Sequence, residues 1–187
     1  MQNIKIILLL VLINTKIYSQ NGKDIGQVLE SMSTYELVDL FRQHSPDSTM
    51  QGIRQQLEFK IPIYHPLSKL RLTSSYGNRV HPIEGKVKFH NGIDIAARYN
   101  QAVYTTADGQ VIELGYQTGL GNFIKIKHLL GFETVYGHLN GFATQLNATV
   151  YQGQTIGFCG STGNSTGVHL HYSVLRFKGY LNPLWVI

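Results

Sequence analysis

The sequence predicts an all-β core of antiparallel sheets with a short helical segment ahead of it. Three observations carry that prediction. Short apolar runs follow one another closely from about residue 61, Gly-, Asn- and Asp-rich turns fall between them, and no strong helical period spans the same stretch. At 187 residues the chain is long enough for one good hydrophobic core and an appendage. Residues 1–19, 20–60 and 61–187 form the expected units: a leader, a helical segment and a single β domain.

The leader begins Met1-Gln-Asn-Ile-Lys5, runs uncharged from Ile6 through Ile13 and reaches the small residue Ser19. A basic start, a short apolar run and a small residue at the junction describe a secretory signal peptide cleaved after Ser19. The run is far short of the ~20 residues that a membrane helix needs, so no stable span is expected once the leader is gone. Lys16 and the bulky Ile17 make the cleavage site imperfect, which leaves an uncleaved anchor as the alternative reading. In residues 20–60, Val28, Leu29, Met32, Leu37, Val38, Leu40 and Phe41 recur at helical spacing. Ser33 or Thr34 can cap that helix with Glu36 in its first turn, and Ser45-Pro46 ends it. A second amphipathic piece is expected from Met50 to Phe59. The segment packs on or leads to the β domain; an inhibitory pro-segment is its sharper reading.

Strands are expected at 70–75, 92–96, 102–105, 110–114, 123–128, 134–138, 155–159 and 168–175. Turns fall between them at Ala107-Asp-Gly109, Thr118-Gly-Leu-Gly-Asn122, Leu130-Gly131 and Tyr151-Gln-Gly153. The Gly-Ser-Thr-Gly run at 160–167 lacks the Lys and following helix of a phosphate loop and reads as a tight strand connection. The 16 basic and 11 acidic residues are dispersed, so nucleic acid is not implied. With Cys159 alone, no internal disulfide can form, and a small buried hydrophobe is its expected role.

Within that frame one set of residues carries chemistry. His169 and His171 stand two apart in a predicted strand, so both imidazoles enter the same side while Val168, Leu170 and Tyr172 point to the other. His90 and Asp94 stand four apart, and Gly92 with β-branched Ile93 and Ile95 predicts a turn entering a strand rather than a helix. A catalytic zinc takes three N or O ligands and keeps its fourth position for water. His90, Asp94 and one member of the His169/His171 pair make such a set. Metal-activated water needs a base and the oxyanion a donor, roles open to His138 and the remaining histidine of the pair. His44, His65 and His128 are not expected to be ligands, and His128 at a strand end is expected to face solvent.

These stretches resemble the lysostaphin-type (LytM-type) zinc endopeptidases that cut peptidoglycan cross-links. The likeness runs through Leu72-Thr-Ser-Ser-Tyr-Gly-Asn-Arg-Val-His-Pro82, His90-Asn-Gly-Ile-Asp-Ile-Ala96, Ala107-Asp-Gly109, Tyr136-Gly-His-Leu139, Gly160 through His171 and Asn182-Pro-Leu184. It implies the duplicated-hybrid-like β fold of that family and one zinc ion per chain held by His90, Asp94 and His171. His138 and His169 are left to work on the attacking water and the oxyanion. With cleavage after Ser19 the chain is expected to be an exported monomer, in the periplasm or cell envelope, and the resemblance implies peptidoglycan as its partner. The alternative is a non-catalytic wall-binding or amidase-regulating module on the same fold. Two positions depart from the family pattern: Ser173, where relatives often carry Glu, and Asn100-Gln101, where Gly-Thr is common. Neither is expected to touch the metal site. For Tyr76, Arg79 and His81, a place in the substrate groove and a structural turn are both open.

Overall fold

The computed structural model describes residues 30–42, 55, 57–80 and 85–187. The leader, most of the expected piece from Met50 to Phe59, and His44 and His81 lie outside the described residues. Among the described residues one helix precedes a β domain. Helix α1 (Thr34–Arg42) starts at a capping box in which the Glu36 amide donates to the Ser33 hydroxyl and the Ser33 amide donates to the Glu36 carboxylate. Leu37 and Val38 bury its apolar face, Leu37 within the main core.

Twelve strands follow: β1 (Leu72–Ser74), β2 (Gly77–Val80), β3 (Val87–His90), β4 (Ile93–Ala96), β5 (Ala102–Tyr104), β6 (Gly109–Gln117), β7 (Gly121–Lys127), β8 (Phe132–Phe142), β9 (Thr149–Val150), β10 (Thr155–Cys159), β11 (His169–Arg176) and β12 (Gly179–Leu181). Every pairing is antiparallel. The main sheet runs β1-β4-β11-β8-β7-β6-β9, with β10 joining β8 to β5 and β12 on β11. Strands β2 and β3 form a separate two-stranded ribbon. The eight expected strands are all present, and the ribbon, β9 and β12 add to them.

The core lies under one face of β4, β11, β8 and β7, where Ile93, Ile95, Leu170, Tyr172, Tyr136, Ile124 and Ile126 are fully buried. Period-two alternation puts these side chains on one face and leaves the other to form a groove floor. Polar groups inside this core are paired. The Tyr136 and Tyr172 hydroxyls both lie within hydrogen-bond reach of the Thr106 hydroxyl, at 3.1 and 3.0 Å. Thr134 connects Tyr136 to His128, whose Nε2 is 2.7 Å from the Thr134 hydroxyl. His128 is therefore buried, against the expectation of solvent exposure. It shares the inward parity of Ile124 and Ile126, and its Nδ1–H donates to the Asp108 carbonyl. Cys159 is buried as expected, and burial pushes its thiol up to about 12.

Candidate metal centre

The central residues of the groove come from three neighbouring strands and a ribbon. Strand β11 sets His169 opposite Ala96 and His171 opposite Asp94 of β4. His90 ends β3, and the Asn91-Gly92 turn swings the chain directly into β4, bringing His90 back over Asp94. Gly92 is required there by space. A Cβ at that position would meet Ser173 Oγ and the Tyr172 carbonyl at 2.5 Å and His171 Cε1 at 2.8 Å.

Three ligand-type atoms converge. His90 Nε2 lies 3.0 Å from His171 Nδ1, and each lies 3.1 Å from Asp94 Oδ1. All three residues are buried. The Ser75 carbonyl, 2.8 Å from His90 Nδ1, can only accept, so Nδ1 carries the hydrogen and Nε2 presents a lone pair inward. The other nitrogen of His171, Nε2, is 2.9 Å from Ser173 Oγ. Ser173 thus touches the metal site, contrary to the sequence expectation. Lone pairs and a carboxylate packed this closely need a cation or proton between them. A tetrahedral zinc with bonds of about 2.0–2.1 Å spaces its ligand atoms roughly 3.3 Å apart, close to these separations. The donor set fits the ion.

Two further imidazoles face the same space. His169 Nε2 is 3.7 Å from Asp94 Oδ1, and the His138 and His169 rings lie 4.5 Å apart between centroids. Each has its outer nitrogen fixed by a backbone carbonyl: His138 Nδ1–H donates to Thr162 at 2.8 Å and His169 Nδ1–H to Gly167 at 2.7 Å. His138 reaches the groove through a bulge. Tyr136 pairs with Ile124 and Leu139 with Asn122, so β8 spends one residue more than β7 across that interval. His138 there adopts φ +59°, in the left-handed region, with its amide donating to the Leu120 carbonyl at 2.7 Å.

Burial alone would raise the Asp94 carboxyl, but hydrogen bonds and charge from His171 and His90 hold it well below the usual carboxylate range. Burial lowers His171, partly offset by Asp94, and pushes His138 down to about 4. His138 is thus neutral at pH 7, with Nε2 an acceptor.

All five residues singled out from the sequence come together here, while His65 is exposed and His128 is tied into the opposite face. Arg79, which had a structural turn as one reading, lies on β2 with its Nη2 3.3 Å from Asp94 Oδ2. Asn164 and Thr166 of the Gly-Ser-Thr-rich connection line the groove beside His138 and His169. The carbonyls of Ser75, Thr162 and Gly167 carried no sequence signal, because any residue type supplies one.

Residues 88–183 match Peptidase family M23. The DD-carboxypeptidase/endopeptidase Mpg of Neisseria meningitidis serogroup B is 44% identical over 122 residues, 65% of this chain and 28% of that protein. The peptidoglycan DD-endopeptidase ShyC of Vibrio cholerae is 37% identical over 119 residues, 63% of this chain and 28% of its own length. A zinc-containing peptidase from Vibrio cholerae superposes with a TM-score of 0.62 at 36% identity, covering 67% of this chain and 40% of that one. The chain thus spans little more than a quarter of the curated relatives named here.

Proposed function

The chain belongs to peptidase family M23, and from that premise we propose an exported zinc endopeptidase that hydrolyses amide bonds in peptidoglycan stem peptides or cross-bridges. One observation carries the reading: His90, Asp94 and His171 converge within 3.1 Å beside two imidazoles whose outer nitrogens are fixed by carbonyls. Export rests on the leader-like residues 1–19; among the described residues no helix is long and apolar enough to cross a membrane. Peptidoglycan as substrate rests on the motif resemblance and on what ShyC is named for.

His90 and His171 would hold the zinc through Nε2 and Nδ1, and Asp94 through Oδ1. Bound zinc supplies a Lewis acid for the scissile carbonyl and a water whose pKa falls toward about 7. The protein's residues do the rest. With Nδ1–H committed to Gly167, His169 turns Nε2 to the groove and accepts the proton of the attacking water there. His138, fixed in the same way by Thr162, places a second Nε2 alongside. Whichever ring holds the proton becomes a donor, first to the developing oxyanion and then to the departing amine nitrogen. Leu120 and Asn164 line this space.

His90→Ala and His171→Ala should each lose bound zinc and activity together. His169→Ala should keep stoichiometric zinc and lose about 10²–10⁴-fold in turnover. Metal analysis together with mass spectrometry of muropeptides released from defined sacculi separates these outcomes, and full activity in either ligand variant would reject the assignment.

A further inference from the structure

We infer that Arg79 is a positioning residue for the metal site: it ties up one oxygen of Asp94 so that only the other faces the two imidazoles. The inference rests on the zinc-site reading but not on the substrate. The two carboxylate oxygens of Asp94 have different partners. Oδ1 takes both imidazoles at 3.1 Å, whereas Oδ2 takes Arg79 Nη2 at 3.3 Å. Asp94 is the acid with which Arg79 pairs among the described residues, and both side chains are largely enclosed, 28% and 12% exposed.

The backbone explains why this contact is built in. Arg79 lies opposite Lys88 in the β2–β3 ribbon, and Gly77 lies opposite His90. One two-stranded unit therefore delivers both the histidine that faces Asp94 Oδ1 and the cation that holds Oδ2. The ribbon is anchored in turn, since Tyr76 stacks edge-on against Phe89 at 5.0 Å and donates its hydroxyl to the Tyr180 carbonyl. The guanidinium is presented as a fork. Nη2 engages Asp94, while among the described residues Nε is buried without a partner. A buried, half-used fork is costly unless its position serves the group it touches.

The consequence is coordination geometry. A carboxylate free at both oxygens can bind an ion through both and occupy the position that a substrate water needs. Holding Oδ2 on a cation restricts Asp94 to one donor atom and fixes the direction of that donor. Outer partners of metal-binding side chains commonly change metal affinity by about 10–100-fold.

The test uses the full chain loaded with zinc or cobalt. Arg79→Gln should weaken zinc retention by about 10–100-fold in chelator competition. Its cobalt form should absorb visible light less intensely, as the freed carboxylate raises the coordination number. kcat should fall with KM nearly unchanged, and Arg79→Lys, which restores the charge without the fork, should recover part of the affinity. Circular dichroism and a thermal melt establish that each variant is folded, and Arg79→Lys supplies the same readouts should the Gln variant not fold. Unchanged affinity and cobalt spectrum in a folded variant would overturn the inference, as would a rise in KM alone, which would make Arg79 a substrate contact. Wild-type protein that binds zinc tightly but leaves peptidoglycan uncut would remove the substrate reading and leave this one standing.

Discussion

His128 shows how much one buried side chain can set the pH response of this fold. It is 4% exposed, faces the core just past the end of β7, and burial pushes it down to about 4, partly offset by the Asp108 carbonyl. Its ordinary value is near 6.5, so between about 4 and 6.5 the unfolded chain holds a proton that the folded one does not. Stability from this residue is therefore complete above about 6.5 and drains as pH falls toward 4. The contribution is on the order of 3 kcal/mol overall, of which about 2 kcal/mol goes between pH 7 and 5. His128→Gln should be less stable at pH 7 but should lose less on going to pH 5. Urea midpoints at the two pH values check it, and parallel losses in variant and wild type would remove His128 as the cause. The residue was legible in one respect. Strand parity after Ile124 and Ile126 points it inward, but its place at a strand end suggested surface.

Among the elements, the strands over the core were readable and the pieces that aim side chains were not. The runs in β4, β7 and β11 alternate over most of their length, so their existence and facing follow from apolar period, and so does the placing of His169 with His171; β8 reads as a strand from its β-branched and aromatic content. The β2–β3 ribbon has no buried face of its own: Val80, Val87 and Phe89 are all more than half exposed. Period therefore had nothing to mark, although this ribbon carries His90 and Arg79. Alternation also misdirects His138, because regular pleating from Tyr136 would send it into the core; the bulge at Gly137-His138 turns it out, and no local residue announces a bulge with φ +59° on histidine. The turn at Gly92 was read as a turn, but not as a site of close approach. Gly92→Ala would drive a methyl into the Tyr172 backbone and against Ser173 and His171, contacts at 2.5–2.8 Å that β11 can relieve only by moving. The expected cost is about 1–3 kcal/mol of stability, together with a drop in zinc affinity as His171 shifts. Thermal unfolding and chelator competition on the same sample test both, and unaltered affinity in a folded variant would show that the site does not depend on this turn.

At the scale of the whole molecule, the N-terminal segment seals the core at the end of β11 remote from the site. Arg176, 6% exposed, donates to the carbonyls of Met32 and Glu30 and to that of Leu130, and its guanidinium lies over the Phe132 and Phe177 rings. Leu37 of α1 joins the same core as Ile61 and Tyr172. Arg176 is five residues along β11 from His171, a separation of about 17 Å at strand rise. An inhibitory segment has to cover the groove or displace its residues, and the described contacts of α1 do neither. We therefore expect α1 to support the fold rather than hold the enzyme latent. A chain starting near Ile61 would leave Arg176 without two of its acceptors and open the surface that Leu37 closes. Loss of about 2–4 kcal/mol follows from uncovering one core leucine and a buried cation's partners, which lowers Tm by several degrees in a chain of this size. Cleavage of sacculi well below that Tm should proceed at the rate of the longer chain. A faster rate in the shortened chain would restore the inhibitory reading, and an unchanged Tm would show that α1 contributes nothing to the core it touches.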